Sequence, residues 1–78
     1  MANPASLERE YNNLESRISS LTSEIRSLES RQSSAETLAL KKALGDQIAS
    51  KKNDLSSARE SARSKYAEWQ AALKEQNK

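Results

Sequence analysis

The residues able to do chemistry are carboxylates and cations, and their company limits what they can do. Glu8 and Glu10, and further along Glu24 and Glu29, could in principle share acid and base roles as paired carboxylates. Such work needs a pocket that shifts one member of the pair, and these carboxylates read as solvated charges on helical surfaces with no sign of one. The chain contains no His and no Cys, which removes the commonest metal ligands, nucleophile–base pairs and proton shuttles. A single Gly cannot make a phosphate-cradling loop. The expectation is a protein that is not an enzyme and holds no cofactor or metal.

The cations suggest phosphate chemistry next. Lys41, Lys42, Lys51, Lys52, Arg59, Arg63 and Lys65 all lie in the second half, but acids are interleaved among them. The formal net charge is only +2, so no continuous phosphate track is expected. Glu60, Glu68 and Glu75 dilute the basic face that a membrane-surface helix would need. The longest run of Leu and Ala is three residues, "LAL" at 38–40, far below a membrane span or a signal-peptide core. A cytoplasmic protein without a transmembrane segment is the resulting expectation, with binding to nucleic acid or a membrane surface disfavoured.

The elements that carry these charges read as helices. One Gly and one Pro in 78 residues leave little to punctuate the chain. Nine Leu and three Ile, with no Val and no Phe, supply nearly all the core material. Leu7, Leu14, Leu21 and Leu28 recur every seven residues, with Tyr11, Ile18 and Ile25 between them. These are the d and a positions of a heptad seam. A second stripe comprises Leu40, Leu44, Ile48, Leu55, Ala58, Ala62 and Trp69. There Ile48, Leu55, Ala62 and Trp69 fall at a, and Leu44 and Ala58 at d. Lys51 and Lys65 also fall at d, where their aliphatic stems can pack while the ammonium groups reach water.

The two stripes are out of phase. Leu28 and Ile48 stand 20 residues apart, which at ~100° per residue leaves them roughly 160° apart around one helix. A turn must intervene. "RQSSAE" at 31–36 offers Ser33 followed by Glu36, the pattern of a capping box, with Arg31 suited to a helix C-terminus. Gly45-Asp46 is the alternative, although the second stripe runs straight through it. The expected fold is therefore all-α, an antiparallel two-helix coiled-coil hairpin that oligomerises into a helical bundle. It has a disordered lead at 1–5, a helix at 6–31, a turn at 32–34, a helix at 34–76 and a disordered tail at 77–78.

Edge charges agree with antiparallel pairing. Glu8, Glu15 and Glu29 lie at e positions of the first helix, and Lys52 and Arg59 at e positions of the second. A parallel homodimer would instead set Glu10 against Glu15 and Glu24 against Glu29, which repel. Because the second helix is the longer, its "SARSKYAEWQAAL" segment is expected to overhang, leaving Tyr66, Trp69 and Leu73 as an uncovered stripe. The expected interface is Leu14, Ile18, Leu21, Ile25, Leu28, Leu44, Ile48, Leu55 and Ala62 along the seam, with Tyr66, Trp69 and Leu73 beyond it.

In size and in its two helices the chain resembles the Trp-x-Gly class of type VII secretion proteins. Their Trp-x-Gly turn is missing, however, and Tyr66 is followed four residues later by Gln70 where that class has an acid. "LALKKALGDQI" is similar to segments of short bacterial coiled-coil proteins. The functional expectation is a structural, assembly or adaptor subunit acting by protein–protein contact, with itself or another helical protein as partner. A small secretion substrate or chaperone comes second, and a weak nucleic-acid binder third.

Overall fold

The structure is a computed structural model that describes residues 3–76. It contains two helices, α1 (Pro4–Ser34) and α2 (Leu38–Gln76), folded back on each other as an all-α hairpin. The Cα atoms span 62 × 14 × 12 Å, a narrow rod.

Helix α1 starts earlier than its heptad suggests. Asn3 is extended and its Oδ1 accepts the Ala5 amide at 2.9 Å, while the Leu7 amide donates to the Asn3 carbonyl. Pro4 opens the helix, where its missing N–H costs nothing. The expected disordered lead is thus corrected for residues 3–5, which cap and begin α1; residues 1–2 and the expected tail at 77–78 lie outside the described residues. Glu8 and Glu10 fall beyond the first turn, past the main reach of the helix dipole.

The turn occupies 35–37, not 32–34. Ser33 lies inside α1, and no box forms between it and Glu36. Thr37 caps α2 instead: its Oγ1 accepts the Leu40 amide at 3.1 Å, and its carbonyl accepts the Lys41 amide. The extra turn of α1 carries Gln32 and Ala35 into the next a and d places of the seam. Ala35 packs against the core, and the Gln32 side-chain amide donates to the Lys41 carbonyl at 3.0 Å. The heptad never stopped at Leu28. It continued through a polar residue that earns its place by a hydrogen bond.

Gly45, the alternative turn, sits within α2 at negative φ. Its lack of a side chain has a local use. A Cβ there would stand 3.0 Å from the Gln32 amide nitrogen, in the space through which Gln32 reaches α2.

Leu7, Leu21, Ile25 and Leu28 of α1 and Leu44, Ile48, Leu55, Ala58 and Ala62 of α2 are buried, and Leu44 is the most enclosed at 2% exposure. Full burial of each large side chain contributes roughly 1.5–3 kcal/mol. The ion pairs and ring contacts described below set an antiparallel register in which residue i of α1 faces a residue near about 76 − i of α2, a against d. That register sets Leu21 across from Leu55 and Leu28 across from Ile48. It also sets Leu14 and Ile18 opposite Ala62 and Ala58. The short alanines cannot close over the larger side chains, so Leu14 and Ile18 stay half-buried. Leu40, expected within the stripe, is exposed, as is Leu38 at 85%. Both precede the first full turn of the seam, where α1 has already ended.

Candidate functional site

The open end of the hairpin gathers all three aromatic residues of the chain. Tyr11 of α1 stands 5.6 Å from Tyr66 and 5.9 Å from Trp69, centroid to centroid. Tyr66 meets Trp69 edge to face at 5.9 Å. These separations and tilts are those at which ring quadrupoles attract. Trp69 and Leu73 are half-buried, whereas Tyr66 is 48% exposed.

The expected long overhang is therefore corrected. Moving the turn towards the C-terminus moves every pairing by twice as much, so α1 reaches Trp69 and covers part of the Tyr66–Trp69–Leu73 stripe. Only the last turn of α2 runs past Pro4. Of the other expected interface residues, Leu21, Ile25, Leu28, Leu44, Ile48, Leu55 and Ala62 are buried between the two helices of one chain. Leu14 and Ile18 are half-buried beside them.

Beside the aromatic cluster, Lys65 bridges the helices. Its Nζ lies 3.1 Å from Glu10 and 3.6 Å from Glu68. The hydrogen bond to Glu10 and the charges of Glu10 and Glu68 raise the ammonium above its ordinary value, against a smaller opposing effect of desolvation. The Tyr11 phenol is also raised, first by desolvation, then by the nearby Glu15 carboxylate and by Tyr66. Two more cross-helix pairs follow down the rod, Lys51–Glu24 at 3.0 Å and Lys52–Glu29 at 3.8 Å. All are at least one-third exposed, so they select the orientation more than they stabilise it.

Lys52–Glu29 is the edge pairing that the charge pattern implies. Arg59 departs from it: among the described residues Arg59 and Arg63 have no ion-pair partner. Lys51 and Lys65 pack their stems at d as expected, but their ammonium groups meet Glu24 and Glu10 rather than water alone.

A furrow runs along the side of the rod that carries Lys52 and Glu29. Its floor is Ile18, Ile25, Leu55 and Ala62, and Tyr11 and Tyr66 close its upper end. The furrow exists because Ala58 and Ala62 are too small to fill the seam. Glu15 and Glu29 of α1 stand on one bank with the cation Arg26, and Lys52, Arg59 and Arg63 of α2 stand on the other with the carboxylate Glu60.

The carboxylates weighed as pairs lie at the surface. Glu10, Glu24 and Glu29 are each held by a lysine at the surface. Among the described residues, no group of three or more His, Cys, Asp or Glu is placed to hold a metal ion, and no helix is long and apolar enough to cross a membrane.

Tyr11 is the residue that sequence reasoning placed in the seam but not at the site. Its signal was present: with only two tyrosines and one tryptophan, a register centred a little later brings all three together. Comparison with protein-family models, curated proteins and solved structures finds no match for this chain.

Proposed function

We propose that this chain is a non-enzymatic helical subunit that works by protein–protein contact, a coiled-coil structural or adaptor element of the cytoplasm. Its partner is a second copy or another helical protein. The observation that supports this reading is the gathering of every aromatic residue at one end, with Tyr66 held half in water by a ring cluster rather than folded away. Tyrosine and tryptophan with an apolar body and a wet edge are the residues that most often anchor interfaces. The surfaces that the hairpin leaves to others are this end and the furrow beneath it.

The test is the native size of the chain in extracts of cells that express it, compared with Tyr66→Ser. Tyr66 is 48% exposed and lies outside the buried seam, and circular dichroism of the variant checks that the hairpin survives loss of its ring contacts. The expected result is a complex well above 8.7 kDa that the substitution dissolves. A wild-type chain of monomer mass both in extract and when purified would end the proposal.

A further inference from the structure

The furrow differs from the opposite side of the rod in how its charge is arranged. On the furrow side α1 contributes Glu15 and Glu29 with one cation, Arg26, while α2 contributes Lys52, Arg59 and Arg63 with one carboxylate, Glu60, so the α1 bank is net acidic and the α2 bank net basic. Arg59 and Arg63 have no ion-pair partner among the described residues. Between the charges lie Thr22 and Ser56, small enough for another helix to come close. The face thus has an acidic edge, a basic edge and an apolar floor.

We infer that this furrow receives a second copy of the same chain, face to face, making a four-helix bundle; the inference rests on the interaction-module reading and names its partner. Consider a two-fold axis parallel to the rod and lying between the two faces. It exchanges left and right but keeps height, so α1 of each copy lies over α2 of the other. Residue i of α1 then meets the partner helix near about 76 − i, as it does within its own hairpin. Glu15 arrives between Arg59 and Arg63 of the second copy, and the contact occurs twice.

A two-fold axis running across the rod would instead lay α2 on α2, with cation edge on cation edge. The charges therefore select one arrangement. The area is also adequate. A face 62 Å long and 14 Å wide offers roughly 800 Å² per partner, the size of a standard stable interface. Docking would cover the half-buried Ile18 on the furrow floor, which Ala58 leaves open.

Sedimentation equilibrium of the purified chain tests this. The wild type is expected at twice 8.7 kDa at micromolar concentration. Glu15→Arg alone, and Arg59→Glu with Arg63→Glu, should each weaken the dimer by about tenfold or more, because each places like charges together twice. An equimolar mixture of those two variants should dimerise again, since every contact then pairs opposite charges. Ser57→Arg, on the opposite face, should leave the dimer unchanged. Circular dichroism on each sample confirms that the hairpin persists, and the mixing result does not depend on either variant alone being as stable as the wild type.

Monomeric wild type overturns the inference, as does a dimer lost on Ser57→Arg but kept on Glu15→Arg. Failure of the mixture to associate overturns it too. A purified monomer that still runs in a large complex in cell extract defeats the two-fold dimer and leaves the interaction-module reading standing. Monomer in both settings defeats both.

Discussion

The rings of Tyr11 and Trp69 lie 5.9 Å apart, one near the start of α1 and the other near the end of α2. That contact fixes the register of the whole hairpin, because a slip of one heptad on either helix would separate the rings and uncouple Lys65 from Glu10. Trp69→Ala should lower stability by about 1–3 kcal/mol, less than for a fully enclosed Trp, since the ring is only half-buried. Tyr11→Ala should cost less in that background than in the wild type, which thermal melts of the four-member cycle would measure. Independent, additive losses would mean that the rings do not support each other.

The seam offers a sharper contrast. Leu44→Ala removes the most enclosed side chain and should cost about 2–5 kcal/mol. Leu38→Ser, six residues earlier at an 85% exposed position, should change stability by less than about 0.5 kcal/mol. Urea titration of both variants checks this, and comparable losses would contradict the observed burial.

At the turn, Thr37→Ala should cost about 1 kcal/mol by removing the cap on the Leu40 amide. Ser33→Ala with Glu36→Ala should cost much less, because neither side chain caps a helix. If the second pair proves the more damaging, α2 begins where the Ser33–Glu36 pattern suggests and not at Leu38.

Gly45→Ala sets two effects against each other. Helix propensity favours alanine by about 1 kcal/mol, but the new Cβ would crowd the Gln32 amide at 3.0 Å and loosen its bond to Lys41. In a Gln32→Ala background the crowding vanishes, so the full gain should appear there and a smaller one in the wild type. Equal gains in both backgrounds would show that Gln32 does not occupy the space over Gly45.

Alkali should loosen the open end. The folded chain holds the protons of Tyr11 and Lys65 more tightly than the unfolded chain does. Their contribution is therefore complete below the unfolded values, at about pH 10. It is lost as pH rises through the folded values. Melts across that range should show a falling midpoint, and Tyr11→Phe with Lys65→Met should flatten the fall. An unchanged slope in the double variant would place the sensitivity elsewhere.

Much of this was legible in the chain. Leu7 to Leu28 gave the first seam, and the phase difference between Leu28 and Ile48 required a turn. Glu29 and Lys52 gave the antiparallel sense. The position of the turn was not legible, because Gln32 occupies an a place with a polar side chain. Spacing alone cannot show that its amide would find the Lys41 carbonyl. Ser33 and Glu36 match a cap pattern that Thr37 also nearly satisfies, and packing of Ala35 decided between them. The error in the turn then doubled along the rod and hid Trp69's contact with Tyr11. The furrow was harder still to foresee, since it is made by what Ala58 and Ala62 lack.

The single short connection has a kinetic consequence. Gln32 and Lys41 close the smallest loop in the molecule, so their end can form while the rest of the chain is still loose. Pairing then zips outward, and the Tyr11–Trp69 clasp, at the far end from the turn, forms late. Substitutions near the turn should accordingly slow folding, whereas those in the clasp should leave folding alone and speed unfolding. The hairpin opens from its aromatic end, and the lifetime of the folded chain is governed there, by the contacts made latest.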